Sequence, residues 1–90
     1  MAKLERAFEI TNRLGLHARA AAQLVQLANR FQSECSLEKD GVCVNGKSIM
    51  GVLTLAAAMG SFVNVIVEGP DAEAALAEIA NLIEGKFGES

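Results

Sequence analysis

Ninety residues with 51% apolar side chains support one domain, residues 1–90, whose core is aliphatic, because the chain has four Phe and no Trp or Tyr. The net charge is −3 and the eight basic residues never cluster, which argues against nucleic acid as a partner. The longest apolar stretch, residues 49–58, is interrupted by Gly51 and Thr54 and is too short to span a bilayer. Residues 1–6 lack the apolar run of a signal peptide, so the chain reads as cytoplasmic.

Residues 4–10 predict a strand, with Leu4, Phe8 and Ile10 on one face and Glu5, Ala7 and Glu9 on the other. Arg6 interrupts the apolar face, which suits a frayed end or a sheet edge. After a loop at 11–15, Ala21, Leu24, Val25, Ala28 and Phe31 recur at helical spacing and predict a helix over 18–31. Asp40-Gly41 is a two-residue hairpin signal between residues 35–39 and 42–45. It sets Lys39 opposite Val42, Glu38 opposite Cys43 and Leu37 opposite Val44. Cys35 then shares a face with Leu37 while Cys43 points to the other face, so the two thiols should not meet. One histidine and two separated cysteines also make a poor metal-ligand set.

Asn45-Gly46-Lys47 turns into Ser48, the expected N-cap of a short helix over 49–55. Met59-Gly60-Ser61 ends that element, and residues 62–68 give the clearest strand, with Val63, Val65 and Val67 on one face. Pro70 or Asp71 begins a last helix whose buried stripe is expected to be Leu76, Ile79, Ala80, Ile83 and Phe87. The order β-α-β-β-α-β-α predicts an α+β open-faced sandwich, with a four-stranded antiparallel sheet and three helices on one face.

His17, the only histidine, stands in Leu14-Gly15-Leu16-His17-Ala18-Arg19-Ala20, where a helix begins. A neutral imidazole is a nucleophile near neutral pH. The first amides of a helix lack partners and favour an anion beside them, and Arg19 can give charge-assisted hydrogen bonds to phosphate oxygens. A phosphoryl group fits this arrangement. A surface histidine near a helix start is the plainer reading of the same residues.

Leu14-Gly15-Leu16-His17-Ala18-Arg19, taken with Asn45-Gly46-Lys47-Ser48-Ile49-Met50-Gly51-Val52, resembles the HPr family, the histidine-containing phosphocarriers of the bacterial phosphotransferase system. The resemblance covers essentially the whole chain and carries the same element order. It implies that His17 takes a phosphoryl group on Nδ1 from phosphorylated Enzyme I, itself charged by phosphoenolpyruvate. His17 would pass the group to a histidine of an Enzyme IIA, with Arg19 assisting at the phosphate and no cofactor required. A helix start suits this role, because it disfavours the imidazolium and favours the added dianion.

Ser48 matches the family's regulatory serine, the target of HPr kinase/phosphorylase, and the same residue also serves as a plain helix cap. Ile49, Met50 and Leu53, if they face outward, form an apolar docking patch of the kind that meets Enzyme I and Enzyme IIA, with Ala18, Arg19 and Gln26 alongside. Met50 or Leu53 would alternatively complete the core. Ala20 stands where the family usually has proline, a change that an excellent helix former should tolerate. Residues 9–15 and 69–87 are similar to the nitrogen-related branch, NPr, whereas residues 47–52 are similar to the kinase-regulated carriers. A stand-alone enzyme fits poorly, because no substrate cage or Walker-type loop is evident. An interaction module leaves the histidine-arginine pair unexplained. A monomer is expected.

Overall fold

The computed structural model describes residues 2–89. Strands β1 (Ala2–Glu9), β2 (Glu34–Lys39), β3 (Val42–Asn45) and β4 (Phe62–Gly69) form one sheet in the order β1-β4-β2-β3, with every neighbouring pair antiparallel. Helices α1 (Ala18–Ala28), α2 (Ile49–Thr54) and α3 (Ala72–Glu84) cover one face, giving the expected open-faced α+β sandwich. Val63, Val65 and Val67 of the central strand β4 are fully buried, because alternation sends every second side chain toward the helices. They meet Leu24 of α1, Val52 of α2 and Ile79 of α3 in one core. Truncating Leu24 or Ile79 to alanine would cost about 2–5 kcal/mol.

The β2–β3 hairpin takes the expected register, with Leu37 opposite Val44, Glu38 opposite Cys43 and Lys39 opposite Val42. Asp40 (φ 52°) and Gly41 (φ 83°) both lie in the left-handed region that a tight hairpin turn demands. Cys35 is buried and Cys43 exposed, and both are free thiols. Burial pushes the Cys35 thiol up to about 11 against the opposing charge of Lys47.

Two elements end earlier than their apolar spacing implies. Helix α1 stops at Ala28, where the Asn29 side chain turns back to donate to the Val25 carbonyl at 2.9 Å. Phe31 therefore packs against the core from a turn rather than from the helix. Helix α3 stops at Glu84, and Phe87 is carried instead by a short turn, Lys86–Gly88. Lys86 (φ 57°), Phe87 (φ 55°) and Gly88 (φ 77°) are consecutive left-handed residues. For the two that are not glycine this costs about 1–2 kcal/mol each. Burial of the Phe87 ring returns about 1.5–3 kcal/mol. Arg6 interrupts the β1 pattern because β1 is an edge strand, where its guanidinium reaches Glu84 at 3.2 Å, at the electronegative end of α3.

Candidate functional site

The loop between β1 and α1 is held so tightly that the histidine position is not free to drift. Gly15 has φ 67°, and a Cβ there would lie 2.4 Å from the Ala57 carbonyl oxygen, so only glycine fits. The next amide, that of Leu16, donates to the same Ala57 carbonyl at 2.8 Å. Leu16 on one side of His17 and Ala20 on the other are buried. Between these two anchors the histidine is the N-cap residue of α1, with extended backbone and a side chain that does not cap its own helix. The first hydrogen bond of the helix runs from the Ala21 amide to the His17 carbonyl, so the amides before Ala21 have no helical partner. The first turn carries no acidic side chain to compete for them.

The imidazole is about a quarter exposed, and its Nε2 lies 2.5 Å from Glu89 Oε2. The second carboxylate oxygen of Glu89 accepts from Asn12 Nδ2 at 3.2 Å, and the same amide group donates to the Gly15 carbonyl at 2.8 Å. Asn12 is 1% exposed, so the brace behind the ring belongs to the interior. These bonds hold the Glu89 carboxyl below the usual carboxylate range, chiefly through His17, then Asn12, with the Arg19 charge adding to them. Among the described residues Nδ1 makes no hydrogen bond. His17, Arg19, Arg13 and Glu89 line one open cleft of about 780 Å³, and Phe87 closes its floor. Two guanidinium groups against one carboxylate leave the cleft suited to an anion.

Ser48 caps α2, accepting from the Gly51 amide at 3.1 Å. Ile49 is 41% and Met50 72% exposed, whereas Leu53 is half-buried against the core. Ala18, Arg19 and Gln26 are exposed along α1, against which α2 packs. Ser48, Ile49 and Met50 line no part of the histidine cleft. The sequence does not single out Arg13 and Glu89, which line that cleft, or Asn12, which braces Glu89 from behind. Gly85 and Gly88, which bracket Lys86-Phe87, are the local sign that the last helix ends early and that the chain turns. Nothing local signals that the turn ends at His17. Among the described residues no helix is long and apolar enough to cross a membrane.

A model of the family described as PTS HPr component phosphorylation site matches residues 4–85. The chain belongs to the HPr family. It is 51% identical over 80 residues to the phosphocarrier protein HPr of Treponema pallidum, covering 89% of this chain and 91% of that one. It is 41% identical to the phosphocarrier protein NPr of Shewanella violacea over 90 residues, 100% of this chain and 99% of the other. A crystal structure of HPr-C-His from Thermoanaerobacter tengcongensis superposes with a TM-score of 0.94 at 47% identity, covering 97% of this chain and 98% of that one. The chain is thus an HPr-type phosphocarrier of the phosphotransferase system, with the HPr fold in full.

Proposed function

We propose that the chain carries the phosphoryl group on Nδ1 of His17, receiving it from phosphorylated Enzyme I and delivering it to a histidine of an Enzyme IIA. The observation that carries this reading is a histidine at an uncapped helix start whose Nε2 is occupied by Glu89 and whose Nδ1, among the described residues, is unengaged. The incoming dianion would meet the free amides at the start of α1 and the Arg19 guanidinium, each of which strengthens with negative charge. The cleft is open, which suits a carrier: a deep well would hold the group and stop onward transfer. In-line positioning falls largely to the partner.

Exposed Ile49 and Met50, with Ala18, Arg19 and Gln26 of α1, supply the docking surface for both partners, and half-buried Leu53 supports it from beneath. Ser48 is the regulatory serine. A phosphoryl group there adds about −1.5 to −2 charge beside that surface and weakens docking by repulsion, while remaining favourable at a helix N-terminus. The protein works as a cytoplasmic monomer comprising one phosphocarrier domain. Similarity to NPr at 41% identity, beside 51% to HPr, makes nitrogen-related regulation the alternative output of the same chemistry.

The test is phosphoryl transfer from phosphoenolpyruvate through purified Enzyme I, read by intact mass. Gain of one acid-labile phosphoryl group in wild type and in Ser48→Ala, but not in His17→Ala, is the expected result. No gain from a competent Enzyme I would overturn the proposal.

A further inference from the structure

Lys86, Phe87 and Gly88 all have positive φ, and two of them are not glycine. Such runs persist only where the surrounding structure enforces them, and they concentrate at functional sites. Here the enforcing contact is Phe87, which is 3% exposed and acts as a plug in the core. The Gly88 amide donates to the Gly85 carbonyl at 3.0 Å, and the Glu89 amide to the Lys86 carbonyl at 2.9 Å, which closes the turn. The consequence is a carboxylate 72 positions away in sequence set against one particular ring nitrogen of His17. Its other oxygen is braced by a buried amide that also fastens the loop bearing the histidine. The two halves of the site are therefore tied to each other through Asn12.

We propose that Glu89 is a positioning residue that holds the Nε2–H of His17 and so reserves Nδ1 as the nucleophilic nitrogen, with the left-handed turn and the Phe87 plug as the device that delivers it. An imidazole with a carboxylate on one nitrogen keeps its proton there and presents its lone pair on the other. In transfer, the Nδ1 lone pair forms the bond to phosphorus as the donor's bond to phosphorus breaks and its electron pair leaves with the donor. The Nε2 proton stays on the ring, and the positive charge that the ring takes on is faced by Glu89. On delivery the Nδ1–P bond breaks, and its pair returns to Nδ1 with the Nε2 proton still in place. Glu89 thus stabilises the charged ring in both directions and also covers the nitrogen on which a phosphoryl group would be misplaced.

The inference rests on the carrier reading for its purpose, but its test needs no partner protein. Wild type, Glu89→Ala and Glu89→Gln are phosphorylated with phosphoramidate, which loses ammonia as its phosphoryl group moves to the imidazole. The isomer of phosphohistidine formed is read by phosphorus NMR. Wild type should give the Nδ1 isomer alone. In Glu89→Ala the ratio of Nδ1 to Nε2 isomer should fall by roughly tenfold or more, the effect of losing a charged hydrogen bond. Glu89→Gln, which keeps an acceptor without the charge, should fall between the two. Both isomers in wild type, the wild-type ratio in Glu89→Ala, or no reaction at His17 in wild type would each overturn the assignment. If wild type shows the expected isomer yet gains nothing from phosphorylated Enzyme I, the carrier reading fails and the assignment of Glu89 to the ring stands.

Discussion

At the start of α2 the Ser48 hydroxyl accepts from the Gly51 amide at 3.1 Å, so that helix satisfies its own first turn. At the start of α1 the equivalent position is His17, whose ring does not cap its helix and is held by Glu89 instead. Both starts use extended backbone at the N-cap, yet one is closed by its own side chain and the other is left open to an anion from outside. The start of α3 shows a third use of the same position. Asp71 turns its carboxylate away from its helix to accept from the Gln32 and Ser33 amides, each at 2.9 Å, and from the Ser33 hydroxyl, tying α3 to the start of β2. The N-cap position thus serves as an open helix start at His17, a self-contained cap at Ser48 and a tertiary clasp at Asp71, according to what the capping side chain is given to do.

Changes that erase the open site should have the largest effect. His17→Ala should abolish phosphoryl uptake from Enzyme I outright, with intact mass as the readout. Arg19→Ala should slow uptake by roughly 10- to 100-fold, through loss of a charge-assisted bond to the phosphoryl oxygens. Because Arg19 is exposed, its removal should move stability by only about 0.5 kcal/mol or less, checked by urea unfolding. The closed start should answer in the opposite sense. Ser48→Ala should lower stability by about 1 kcal/mol, the typical value of an N-cap, and leave the rate of uptake at His17 unchanged.

The clasp should report itself through pH. The Asp71 carboxyl lies below the usual carboxylate range, chiefly through its bond from the Ser33 hydroxyl and then the Gln32 amide. A folded-state value below the unfolded one contributes stability that is complete above about pH 4 and is lost as pH falls through the folded value. Glu89 adds to the same acid-side loss. Urea midpoints measured from neutral to acid pH should fall in wild type and fall less steeply in Asp71→Ala.

What was legible in advance depended on whether local spacing decides the outcome. The hairpin register followed from Asp40-Gly41, because a two-residue turn leaves the flanking strands one alignment, and the separation of Cys35 from Cys43 came with it. Strand β4 announced itself by strict alternation at its centre. The cap at Ser48 and the helix start at His17 were likewise local. Spacing misled where an apolar residue returns at the right interval for a different reason. Phe87 follows Ile83 by four positions, as on a helix, but reaches the core through a left-handed turn. That error concealed Glu89, because a helix continued through Phe87 would not have turned the following residue toward His17. Asn12 read as one polar loop residue among several, whereas its burial and its bridge from Gly15 to Glu89 arise only from tertiary packing.

The most direct check on the comparison between the two helix starts is an amide NMR spectrum recorded before and after phosphorylation of His17. Large shifts of the Ala18, Arg19 and Ala20 amides, with those of Ile49, Met50 and Gly51 nearly unmoved, are the predicted result. Unmoved amides at the start of α1 in a fully phosphorylated sample would contradict the account, since the open helix end would then have no part in holding the group.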